Sequence, residues 1–229
     1  INLMDITKDF RKYALSKGIS STMIDDSAKS QLTNAITTPY ILEERQLNVA
    51  TYDIFSRLLL DRIVFLSGEV SRESMDTIVA QLLYLDSVDK RDVSIYINSP
   101  GGDIYSGLEL ISVMDYIKST VSTTVLGLAA SMGAVIAASG EKGKRYALPY
   151  SRYMIHQPLS DFGYSKYTDS KIALEEMENA RQDLYGILSQ KSGNDFDTIV
   201  NLCEHGDNWL KPQQAIELGF IDDIIVKKS

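Results

Sequence analysis

The chain has 229 residues, 44% of them hydrophobic, with 31 acidic side chains against 23 basic ones and a formal charge of −8. That is enough apolar material for one large domain, or one domain plus an appendage, and the acidic balance argues against a nucleic-acid backbone as partner. No apolar run is long enough to span a membrane, and the one cysteine, Cys203, rules out an internal disulfide framework or a Cys-based zinc cluster; it reads as a small buried side chain.

Residues 1–34 differ in character from the remainder of the chain. Ile6, Phe10, Tyr13 and Ala14 have the spacing of one short amphipathic helix, and the stretch from Ser20 through Asp25-Asp26 to Ser30 is polar and weakly patterned. The stretch reads as an N-terminal extension or removable pro-segment, with residues 35–229 as the folded domain. It lacks a secretory apolar core, and Asp5, Asp9, Asp25 and Asp26 are out of place in a mitochondrial transit peptide. A cytoplasmic protein is therefore expected.

From Val49 the pattern is regular. Val49–Arg62 is predicted as a helix, Ile63–Leu66 as a buried strand, and Ser71 as the N-cap of a helix carrying Met75, Ile78, Val79, Leu82 and Leu83. Val93–Ile97 is a second strand, followed by the turn Asn98–Asp103 with its Gly101-Gly102 pair. A helix through Ile104, Leu108, Ile111 and Met114 comes next, then a strand over Val121–Leu126 closed by Gly127. Ala134–Ala138 reads as a buried helix, and Tyr146–Leu148 and Tyr153–Ile155 as strands. Thr168–Gln190 is a long polar helix. A short helix opens at Lys211-Pro212 and stops at Gly219, and Phe220–Val226 is a last strand. Strand–helix alternation of this kind predicts an α/β fold with a largely parallel sheet. Sites in such folds form at the carboxyl ends of the strands, where both the Gly-Gly turn and the segment Ala129-Ala130-Ser131-Met132-Gly133 fall.

Ser131 has small neighbours on both sides, so a carbonyl compound can approach it closely. A serine hydroxyl needs a base to remove its proton, and His156, one of only two histidines, ends an apolar run. An acid is needed to orient the imidazole, and the residues after His156 offer several carboxylates. The N–H of Met132 and the backbone at Gly102 are candidate oxyanion donors, because a helix start leaves its first amides unpaired and glycine lets backbone approach a ligand. Each feature also has a plain structural explanation: a serine here as an N-cap, a lone histidine as a packing residue, a Gly-Gly pair as a turn. Neither the Walker spacing nor the dinucleotide fingerprint is present, and no cofactor or metal is expected.

Several segments in order carry a more specific signal: Tyr96 to Gly102, Ala129 to Gly133, Gly143 to Pro149, Met154 to Leu159 and Ala215 to Asp222. Over residues Ala35 to Val226 the chain resembles the proteolytic subunits of the Clp protease family, of the ClpP/crotonase-like fold. The resemblance implies repeated β-β-α units with a protruding long helix. It also implies a serine endopeptidase with Ser131 as nucleophile, His156 as general base, and Asp207, in Asp207-Asn208-Trp209, as the acid. The amides of Gly102 and Met132 carry over as the oxyanion hole. It further implies two stacked heptameric rings and unfolded polypeptide substrates. An AAA+ unfoldase would spend the ATP as partner, and residues near Ile36–Ile41 would line the axial entrance. Two stretches depart from the family pattern: Leu159–Lys166 replaces a glycine-rich segment, and Gly206 stands where an arginine often precedes the acid, with Glu204 and His205 beside it. The rival readings are a crotonase-type acyl-CoA enzyme, a Ser-Lys peptidase using Lys144 or Lys166, and a catalytically silent ring subunit that serves as a scaffold.

Overall fold

The computed structural model describes residues 40–45, 48–159 and 166–227. The expected extension over residues 1–34, its short helix, and most of the Ile36–Ile41 segment lie outside the described residues.

Tyr40–Arg45 (β1) and Asn48–Asp53 (β2) form an antiparallel hairpin. The predicted helix over Val49–Arg62 is therefore shorter: only Ile54–Leu60 (α1) is helical. Val49, Thr51 and Tyr52 are strand-favouring types. The helix begins where Asp53 caps it, its carboxylate accepting from the N–H groups of Phe55 and Ser56 at 3.0 and 3.1 Å.

The seven-stranded sheet is built on the order β3-β4-β5-β6-β9, where β3 is Ile63–Val70, β4 Val93–Gly102, β5 Val121–Ala130, β6 Arg145–Ala147 and β9 Asp223–Ile224. These pairs are all parallel. The sheet forks at β5. Its first half pairs with β6, and its second half, Leu128–Ala130, pairs in parallel with β7 (Arg152–Ile155). β7 in turn pairs antiparallel with β8 (Asn208–Leu210). The fork brings the end of β7 alongside the end of β5, and the site depends on it.

Between the strands run α2 (Arg72–Val88), α3 (Ile104–Tyr116), α4 (Met132–Ala138), α5 (Tyr167–Ser192), α6 (Phe196–Cys203) and α7 (Pro212–Glu217). Ser71 caps α2 in a reciprocal box with Ser74. Asp103 caps α3, taking the Ser106 N–H at 2.8 Å. α4 is buried on all sides, as its run of Ala, Val, Ile and Gly requires. α5 buries only Ala180, Leu184, Tyr185 and Leu188, all in its second half, so its first half stands clear of the core. Val64, Leu66, Ile95, Ile97, Val125, Leu110, Ile136 and Ile199 are among the fully enclosed core residues.

β4 and β5 run further than the sequence suggests, through the Gly-Gly turn and up to Ala130, because β3 and β7 supply ladder partners there. The last strand is shorter than predicted. The amides of Phe220 and Ile221 are taken by the Ala215 carbonyl at the end of α7, so they are not free for a ladder. α6 and β8 are additional to the predicted elements. α6 is nonetheless written plainly: Phe196, Ile199, Val200 and Cys203 fall at helical spacing behind Asp195, which caps it through the Thr198 N–H at 2.8 Å.

Two buried arginines brace the sheet. Arg145 donates to both carboxylate oxygens of Asp222 (2.9 and 2.6 Å) and to the Lys191 carbonyl (2.8 Å), tying β6 to the C-terminal segment and to the end of α5. Arg62, at positive φ, gives its guanidinium to the carbonyls of Leu85, Arg91 and Asp92 and to Ser119, with Asp89 as counter-ion at 3.0 Å.

Candidate active site

Ser131 sits at the strand-to-helix turn between β5 and α4, with φ 53° and ψ −126°. That backbone region is costly for a residue with a Cβ and persists only where surroundings impose it. Here they do. The Ser131 N–H donates to the Met154 carbonyl of β7 at 2.9 Å, and its own carbonyl accepts from Ala134. Ser131 holds the N-cap position of α4 yet makes no capping bond with its side chain. The hydroxyl is instead 2.8 Å from Nε2 of His156. The strained turn thus leaves the serine side chain unused as a cap and directs its hydroxyl to the imidazole.

His156 follows β7 directly. The other ring nitrogen, Nδ1, is 3.2 Å from Oδ1 of Asp207. Asp207 is delivered by the β7–β8 pairing, in which Ile155 lies opposite Asn208, and by the Gln157 N–H bonded to the Cys203 carbonyl at 3.0 Å. The histidine side chain is 13% exposed and the aspartate 58%. The three residues, separated by 25 and 51 positions in the chain, thus form one line: hydroxyl, imidazole, carboxylate.

The Gly101-Gly102 backbone runs beside the serine. Both residues have positive φ, at 93° and 147°. A Cβ on Gly101 would meet the Ala130 carbonyl at 2.6 Å, and one on Gly102 the Val70 carbonyl at 2.2 Å, so no side chain fits at either position. Met132 opens α4, where an N–H has no intrahelical acceptor. Gly102, Ser131, Met132 and His156 share one cleft of about 280 Å³, walled by Pro100, Val135, Leu184, Tyr185 and Leu188 among others.

Of the alternative bases, Lys144 is held 2.5 Å from Asp92, and Lys166 lies exposed at the start of α5. Glu204 is engaged by Arg181 at 2.5 Å, and His205 is exposed. Cys203 is buried, and burial pushes its thiol up to about 12. Among the described residues no group of three or more His, Cys, Asp or Glu side chains is arranged to hold a metal ion, and no helix is long and apolar enough to cross a membrane.

A parallel α/β sheet whose strand ends bring together a serine hydroxyl, an imidazole and a carboxylate in hydrogen-bonded series beside paired glycines defines the class of serine-type peptidases. The chain belongs to the Clp protease family, whose family model matches residues 45–228. It is 46% identical over 222 residues to the ATP-dependent Clp protease proteolytic subunit of Bacteroides fragilis (strain YCH46), covering 96% of this chain and 99% of that one. The protein of the same name from Bacteroides thetaiotaomicron is 47% identical over the same span. That of Streptococcus salivarius is 45% identical over 193 residues, 83% of this chain and 98% of the relative.

Proposed function

We propose that this chain is the proteolytic core subunit of an ATP-dependent Clp protease and that it cleaves polypeptides through Ser131, His156 and Asp207. The observation that carries the reading is the 2.8 Å approach of the Ser131 hydroxyl to His156, whose far nitrogen faces Asp207. In the first step Ser131 Oγ attacks the scissile carbonyl and Nε2 of His156 takes the proton. Asp207 keeps the imidazole in the tautomer that exposes Nε2 and stabilises the imidazolium. The carbonyl oxygen becomes an oxyanion, held by the amides of Met132 and Gly102. His156 then protonates the leaving amine, and water releases the acyl group by the reverse roles. The cleft beside Ser131 has apolar walls, Val135, Leu184 and Leu188 among them, and suits an apolar side chain on the acyl side of the cut bond.

The same reading includes two stacked heptameric rings, an AAA+ unfoldase that spends ATP and feeds unfolded chains to this subunit, and a cytoplasmic setting. It treats residues 1–34 as an extension or removable segment ahead of the peptidase domain. The engaged serine–histidine pair favours an active subunit over a silent scaffold, and the pairing of Lys144 with Asp92 disfavours a Ser-Lys site.

A fluorophosphonate probe combined with native mass measurement tests the proposal. Labelling at Ser131 in a fourteen-subunit particle is the expected outcome. An assembled particle that takes up no label, or label on another residue, overturns the catalytic assignment.

A further inference from the structure

Asp207 is the most exposed member of the proposed triad, and among the described residues its carboxylate is bonded by a side chain only at His156. Its place is therefore set by the turn that carries it. That turn, Glu204 to Gly206, is thinly packed: Gly206 has φ 101°, a Cβ on it would meet nothing within 4 Å, and Glu204, His205 and Gly206 are all exposed. Its ends are fixed by backbone bonds, between Cys203 and Gln157 and between β8 and β7. Within it, among the described residues, one side-chain hydrogen bond is made, from Nη1 of Arg181 on α5 to Oε1 of Glu204 at 2.5 Å. Arg181 is itself immobilised. Its Nε and Nη2 form a two-pronged bond to Glu178 (2.9 and 2.8 Å), and its guanidinium lies 5.2 Å over the ring of Tyr185, a buried residue that also walls the cleft beside Ser131. A planar fork with three fixed partners is a far stiffer anchor than a lone surface ion pair.

We infer that Arg181 is a positioning residue: by gripping Glu204 it fixes the Glu204–Gly206 turn to α5 and sets the Asp207 carboxylate against His156. The inference rests on the proposed role of Asp207. It makes α5, which contributes none of the three triad residues, a determinant of triad geometry.

The test is a double-mutant cycle on the assembled protein, read by steady-state hydrolysis of a short fluorogenic peptide. Arg181→Ala is expected to lower kcat about tenfold with KM within twofold, and Glu204→Ala to do the same. Glu204→Gln, which keeps an acceptor for the guanidinium, should recover at least half of the wild-type kcat. In an Asp207→Asn background Arg181→Ala should cost less than twofold more, because its effect passes through the carboxylate already removed. An additive loss in that background, a rise in KM at unchanged kcat, or a fully active Arg181→Ala overturns the inference. If Arg181→Ala does not assemble, Glu204→Ala, which changes one exposed side chain, takes its place in the same cycle. Failure of the Asp207 assignment is separately visible: Asp207→Asn alone would then retain wild-type kcat.

Discussion

Gly101 lies so close against Ser131 that a Cβ built on it would stand 2.7 Å from the serine Cβ and 2.9 Å from the Met132 nitrogen. The glycine turn and the serine turn are thus in direct backbone contact, and the close fit, together with a φ of 93°, explains why this position takes no side chain.

Gly101→Ala should accordingly displace the serine turn. The atoms it meets are backbone and a Cβ, none of them able to swing aside. We expect peptide hydrolysis to fall at least 100-fold, the order seen when an oxyanion donor is lost, with a drop in Tm of several degrees. A normal kcat/KM for this variant would show that the two turns are not coupled.

Ser131→Ala and His156→Ala should each lower kcat by roughly 10⁴-fold or more, and combining them should add little, since the two act as one unit. Lys144→Ala should leave hydrolysis within about twofold of wild type, as its ammonium is committed to Asp92. The rates come from the same fluorogenic assay. Strong loss on replacing Lys144 would return the Ser-Lys alternative.

The Arg145–Asp222 pair supplies a pH dependence. Burial by itself would raise the Asp222 carboxyl, but hydrogen bonds and charge from Arg145 outweigh it and hold the group below the usual aspartate value. A carboxyl lowered in the folded state stabilises above its unfolded value and loses that contribution as pH falls through the folded one. Stability should therefore decline below about pH 3.9, and Asp222→Asn should flatten that part of the curve. At neutral pH the same variant leaves Arg145, 2% exposed, without its counter-ion, a loss of about 3 kcal/mol. Thermal melts across pH report both effects.

Cys203 should ignore a thiol reagent such as Ellman's in the native protein and react fully in denaturant, because it is buried and its thiol is held up to about 12. Its neighbour Tyr185 has a buried hydroxyl without a hydrogen-bond partner among the described residues. Tyr185→Phe removes that cost and should stabilise by about 1 kcal/mol, visible as a Tm higher by a few degrees. A marked fall would mean that the hydroxyl is bonded after all.

Ser131, His156 and the Gly101-Gly102 pair are legible in the sequence because each closes an apolar strand, and in a parallel sheet the strand ends converge. Asp207 is not legible from pattern. Its strand, β8, is three residues long and antiparallel, and it comes after a turn with no apolar rhythm, so only the family resemblance points to it. The fork of β5 is equally hidden, because one strand serving two neighbours in succession leaves no periodic mark. β2 reads as helix because Tyr52, Phe55, Leu58 and Leu59 keep helical spacing across a boundary that only the Asp53 cap and the pairing with β1 define. The Arg181–Glu204 contact joins residues 23 apart whose types are ordinary on any surface.

The bond from the Ser131 amide to the Met154 carbonyl has a mechanical consequence. Met154 is two residues before His156, so the rail that carries the imidazole is bolted to the rail that carries the hydroxyl. A displacement of β7 is therefore passed to the serine turn through this bond as well as to the imidazole.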